Sequence, residues 1–112
     1  MTALIYKEDR ISMDGRSLAY IQAVTGHVFR EGSGFMLGLT GTDSAGNMKI
    51  RVLWMHPTIS VQFIYRAGET IQLNEETFGV YYNAARAGHV DFGNLDTSPP
   101  YTLNIENRND GE

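Results

Sequence analysis

The 112-residue sequence contains no cysteine. That excludes disulfide staples, thiolate metal sites and a cysteine nucleophile, and it fits a reducing compartment. No apolar run exceeds a few residues, far short of the ~20 needed to cross a bilayer as a helix. The first eight residues, Met1 to Glu8, lack the basic patch and apolar stretch of a signal peptide. The chain is therefore expected in the cytoplasm, with no membrane partner. A basic excess is missing too: nine basic residues face thirteen acidic ones, for a net charge of −4. The seven arginines (Arg10, Arg16, Arg30, Arg51, Arg66, Arg86, Arg108) stand singly. Neutralising phosphates needs a cluster of positive charge, so nucleic acid is not expected as a partner.

Motifs of catalysis are absent as well. No Gly-x-Ser-x-Gly elbow occurs. Gly32-Ser33-Gly34 follows a helix and precedes a strand, and Gly41 to Gly46 joins two strands. A phosphate cradle needs the reverse order, a strand leading into a helix N-terminus. The adjacent carboxylates Glu75-Glu76 suit the first turn of a helix, where the dipole favours negative charge. His27, His56 and His89 fall on three different elements, without the spacing of a metal site. No metal, cofactor or catalytic residue is expected, and the chain is read as non-enzymatic.

Apolar residues, 42% of the chain, suffice for one core. Residues 1–106 read as one α+β domain and 107–112 as a flexible polar tail. Leu4, Tyr6, Ile11 and Met13 alternate about a charged turn, Lys7 to Arg10, so that Thr2 to Met13 reads as a strand pair or one bent strand. Leu18, Ile21, Val24 and Val28 recur at helical spacing after a cap at Asp14 or Ser17, and Gly32 ends that helix. Phe35, Leu37 and Leu39 mark a strand, with a loop from Gly41 to Asn47. Met48, Ile50, Val52 and Trp54 alternate with Lys49, Arg51 and Leu53, which predicts a half-buried strand with the even positions facing the core. His56-Pro57 breaks it. Val61, Phe63 and Tyr65 form the next strand. Asn74 caps a second helix whose Phe78, Tyr81, Tyr82 and Ala85 share a face, ended by Gly88. His89 to Phe92 and Tyr101 to Ile105 are short strands. The order is β-β-α-β-β-β-α-β. Its simplest arrangement is a mainly antiparallel sheet of about five strands packed with two amphipathic helices.

Trp54-Met55-His56-Pro57 offers an aromatic anchor for a partner. Its continuation of the Met48-Ile50-Val52 face favours a core tryptophan instead. Tyr81 and Tyr82 point about 100° apart on a helix, so one packs while its neighbour is partly exposed. With Tyr20, Tyr65 and Phe78 they form either a partner surface or ordinary core. Tyr81, Tyr82, Trp54 and His56 are thus the candidate partner-binding residues.

Several segments together resemble a family of small uncharacterised proteins of actinobacteria and their phages. They are Gly15-Arg16-Ser17-Leu18-Ala19-Tyr20-Ile21-Gln22, Phe29-Arg30-Glu31-Gly32-Ser33-Gly34-Phe35, Trp54-Met55-His56-Pro57-Thr58-Ile59-Ser60-Val61-Gln62-Phe63, and Leu73-Asn74 with its helix. They are similar to that family's Asp-Arg-x-Leu-Ala-His-Leu-Gln, Leu-Arg-Arg-Gly-Glu-Ser-Phe, Trp-Leu-His-Pro-Ser-Ile and Leu-Asn-Arg segments, in the same order over most of residues 1–92. Tyr20 stands where the family has histidine, Glu75-Glu76-Thr77-Phe78 is atypical, and the tail after Leu95 has no counterpart. Members often carry the label ATP-dependent DNA ligase. The nucleotidyl-transfer motif is Lys-x-Asp-Gly, and here Ser12-Met13-Asp14-Gly15 has serine at the nucleophile.

The expectation is a non-enzymatic protein–protein interaction module, in a phage setting one that binds and modulates a host protein. One alternative is a homodimer formed through the strand from Tyr101 to Ile105. Another is a small-ligand binder in which Arg16, His56, His89 and Asp91 converge.

Overall fold

The computed structural model describes residues 2–42, 47–68, 70–92 and 103–104. The tail from 107 to 112, the loop positions 43–46, and Tyr101 and Ile105 lie outside them. Along the chain run β1 (Ala3–Tyr6), β2 (Asp9–Ser12), α1 (Gly15–Arg30), β3 (Phe35–Thr42), β4 (Met48–Met55), β5 (Val61–Ile64), α2 (Glu75–Arg86), β6 (His89–Phe92) and β7 (Leu103–Asn104). The expected order of elements holds through β6, with β7 added after it, and the fold is α+β.

Both helices start and stop where local chemistry directs. The Asp14 carboxylate accepts hydrogen bonds from the Ser17 amide at 3.0 Å and its hydroxyl at 2.6 Å, so Asp14 is the cap of α1. At the other end Gly32 takes a φ of +77°. Its amide bonds the Phe29 carbonyl and the Ser33 amide bonds that of Val28, closing the helix in a Schellman motif. Asn74 caps α2 by accepting from the Thr77 amide at 2.9 Å, while its own amide donates to the Tyr20 hydroxyl on α1.

The strands form two small, mostly antiparallel groups, β5-β1-β2 and β4-β3-β6. The two residues of β7 bridge them, pairing with Ser12 on one side and with Gly41 and Thr42 on the other. Among the described residues that is six strands and a bridge, slightly more than the expected sheet of about five. β6 runs parallel to β3, because α2 returns the chain to the start of that strand, where the Met36 amide bonds the Gly88 carbonyl. The Tyr6 hydroxyl donates to the Trp54 carbonyl at 2.8 Å and ties β1 to β4.

One core joins the helices to the sheet. Leu18, Ile21, Val24 and Val28 of α1 are all buried, as are Phe35, Leu37 and Leu39 of β3. Tyr81 packs edge-on against Tyr20, with ring centres 5.3 Å apart, and lies 4.4 Å from the Phe92 ring. It is a core residue, which corrects its candidacy as a partner-binding side chain.

The largest correction concerns β4. The even positions, read as facing the core, point outward: Met48, Ile50, Val52 and Trp54 are 62, 72, 47 and 46% exposed. Leu53 and Met55 are buried instead. Register is the reason. Phe35 pairs with Met55, Leu37 with Leu53 and Leu39 with Arg51, and directly paired residues share a face. Once Phe35, Leu37 and Leu39 meet the helices, the odd positions of β4 must face inward. Arg51 is accommodated there by an ion pair with Asp9 of β2.

Candidate functional site: an apolar face of the sheet

The outward face of β4 and β3 follows from that register. Along β4 stand Met48, Ile50, Val52 and Trp54; opposite Trp54 on β3 is Met36, which is 39% exposed. These five side chains present on the order of 500 Å² of apolar surface, at the upper end of what a soluble monomer displays. Single exposed apolar residues are ordinary, but a contiguous row on an eight-residue strand is not. Among the described residues β4 pairs only with β3, so it is also a sheet edge.

Two glycines shape the ends of this face. A Cβ at Gly34 would lie 2.6 Å from the Met55 carbonyl oxygen, 3.0 Å from the His56 ring and 3.1 Å from the Trp54 indole. Glycine therefore lets both rings lean over the start of β3. There they stack, 5.7 Å apart and 19° from parallel. His56 is held by Thr58, whose amide donates to Nδ1 at 3.3 Å and whose hydroxyl lies 2.9 Å from it. At Gly38 a Cβ would meet Asp91 Oδ1 at 2.1 Å and His89 Nε2 at 3.2 Å. The Asp91 carboxylate accepts from His89 at 2.8 Å, and the pair lies across Gly38 as the polar border of the apolar rows. Trp54 and His56 thus belong to the face, as two of the four candidate residues.

The other candidates lie elsewhere. Tyr82 is half-buried on α2, stacked on Phe78 at 5.6 Å, with the Arg86 guanidinium over its ring. Its hydroxyl donates to the Glu31 carboxylate. That bond raises the phenol above its ordinary value of 10.0, helped by partial desolvation and the charge of Glu31 and opposed by Arg86. The folded-state value exceeds the unfolded one, so the bond's contribution is present below the ordinary phenol range and is lost as the pH rises through the raised value. Replacing Glu31→Gln should bring the Tyr82 midpoint down, read as the absorbance difference between each protein and its Tyr82→Phe counterpart. An unmoved midpoint would mean that the bond does not form.

A groove of about 730 Å³ runs between α1 and the Pro57–Phe63 segment, with Gln22, His27 and Arg30 among its polar lining. Thr25 borders it, and its buried hydroxyl has no hydrogen-bond partner. An unsatisfied hydroxyl costs free energy. Thr25→Val should therefore raise stability by about 1 kcal/mol in urea unfolding, and a loss of that size would reveal a hidden partner for the hydroxyl. Arg16 lines a separate depression with Asp14, Gly15 and residues 70–72, away from the His89–Asp91 pair. The four residues considered for a ligand pocket therefore do not share one concavity. His27 sits between the helices against Phe78 and Tyr82. Among the described residues no three His, Asp or Glu side chains gather as a metal site, and no helix is long and apolar enough to cross a membrane.

A sequence signal for this face did exist. Leu53 and Met55 make the odd positions of β4 apolar at its second half, so that both faces of the strand end are apolar. The even row alone was more regular and masked it.

A family model for a domain of unknown function, DUF7882, matches residues 1–90. No curated protein matches the chain, and no solved structure does.

Proposed function

The chain belongs to the DUF7882 family of domains of unknown function, and we propose that it is a non-enzymatic protein–protein interaction module, working in the cytoplasm, that docks through the outward face of β4 and β3. The observation that carries this reading is the inverted strand β4. Its uniformly apolar row faces solvent, while the buried residues of the strand, Leu53 and Met55, belong to the row that also carries Lys49 and Arg51. Keeping Met48, Ile50, Val52 and Trp54 in water is unfavourable by roughly 25 cal/mol per Å² of apolar surface. A partner that covers them recovers that free energy. Trp54 at one end of the row is the anchor, since tryptophan contributes disproportionately to buried interfaces. The resemblance to small proteins of actinobacteria and their phages makes a host protein the heterologous case of such a partner.

The test places a photo-reactive benzoylphenylalanine at position 50 or, as a control, at position 80. Val80 is 64% exposed on α2, away from the face. In cells, position 50 should give a discrete cross-linked adduct and position 80 none. If position 50 gives no adduct, or both positions cross-link equally, the face is not a docking surface.

A further inference from the structure

We infer that the occupant of this face is a second copy of the chain, packed sheet against sheet about a two-fold axis. The inference rests on the docking reading above and names its partner. Three observations carry it.

The first is area. A specific interface needs about 1,000 Å² in total. Two copies of a face on the order of 500 Å² supply about that much, enough for a reversible dimer. The second is charge. A two-fold contact sets one patch against itself, so any uncompensated charge would meet its own kind. This face carries none in its apolar rows. Lys49 and Arg51 lie on the opposite side of β4, and the one acid at the border, Asp91, lies beside the rows and accepts a hydrogen bond from His89. Exposed acids that contribute to the net charge of −4, such as Glu8, Glu31, Glu75 and Glu76, sit on other elements. A heterologous partner is selected largely by unmatched charges, and the apolar rows, whose one polar side chain is Thr40 opposite Ile50, carry none.

The third is layering. The helices cover one face of the β4-β3-β6 group and leave the other bare. Sheets pack face to face about 10 Å apart with strands within about 30° of each other. An antiparallel crossing of the two β4 strands places Trp54 of each copy toward the Met48 end of the other, with Ile50 and Val52 near the axis. The helices then lie outside a two-sheet sandwich.

Sedimentation equilibrium of the full chain tests this directly, together with Ile50→Lys, Met48→Glu and Val80→Lys. Trp54 is the only tryptophan, so its emission reports on the face. The wild type should dimerise in the micromolar range with a blue shift of that emission on association. Ile50→Lys and Met48→Glu should each weaken the dimer about 100-fold or more, because a charge would be buried unpaired in the seam. Val80→Lys should leave it unchanged. Far-ultraviolet circular dichroism checks the fold of each variant, and one correctly folded seam variant suffices. A wild type that stays monomeric at about 500 µM, beyond the range of a weak but specific interface, overturns the inference. An adduct of position 50 with a different protein would then leave the docking reading standing. A dimer that survives both seam variants with unchanged emission also overturns it, because the copies then meet elsewhere.

Discussion

Phe92→Ala should lower the stability of the domain by about 3–5 kcal/mol, whereas Trp54→Ala, which removes a larger ring, should cost no more than about 1 kcal/mol in dilute protein. Phe92 is 1% exposed at the end of β6, against the Tyr81 ring and paired in register with Leu39. Its removal leaves a cavity that helices and sheet on three sides cannot easily close. Trp54 is nearly half exposed, and its main neighbour is the His56 ring stacked on it. Truncating it gives up that stacking but opens no cavity. Urea unfolding of the two variants measures the contrast. Equal losses would place Trp54 in the core and remove the basis for the docking face.

The second large effect is at Gly34. Gly34→Ala should destabilise by about 2 kcal/mol, while Gly38→Ala, with a nominally closer clash, should cost well under 1 kcal/mol. The difference lies in what must move. At Gly34 the new methyl meets the Met55 carbonyl at 2.6 Å, which is backbone within the β3–β4 ladder, and two rings crowd it as well. At Gly38 the nearest atom is the carboxylate of Asp91, the free end of an exposed side chain that swings away. Thermal unfolding ranks the two. If Gly38→Ala proves the more damaging, the His89–Asp91 pair holds the sheet together and is more than a border to the face.

Much of this architecture was legible in the sequence. The stripe Leu18, Ile21, Val24, Val28 and the caps Asp14 and Asn74 are local facts, because a helix writes its period and its ends into nearby residues. So is the turn at Lys7, and so are the alternating strands. Of the candidate residues, Trp54 and His56 fell on the face and Tyr81 did not. Which of two adjacent tyrosines turns inward depends on the roll of α2 against Tyr20 and Phe92, both distant in sequence.

The sequence by itself determined the elements, their order and which residues share a side of each. Only the tertiary structure decided which side is covered. Alternation says that Met48, Ile50, Val52 and Trp54 go together, but it is symmetric between core and solvent. The symmetry is broken by pairing with Phe35, Leu37 and Leu39 of β3, and those three are committed to the helices. The apolar face of this protein therefore exists because a long-range register outranked the hydrophobicity of a single strand.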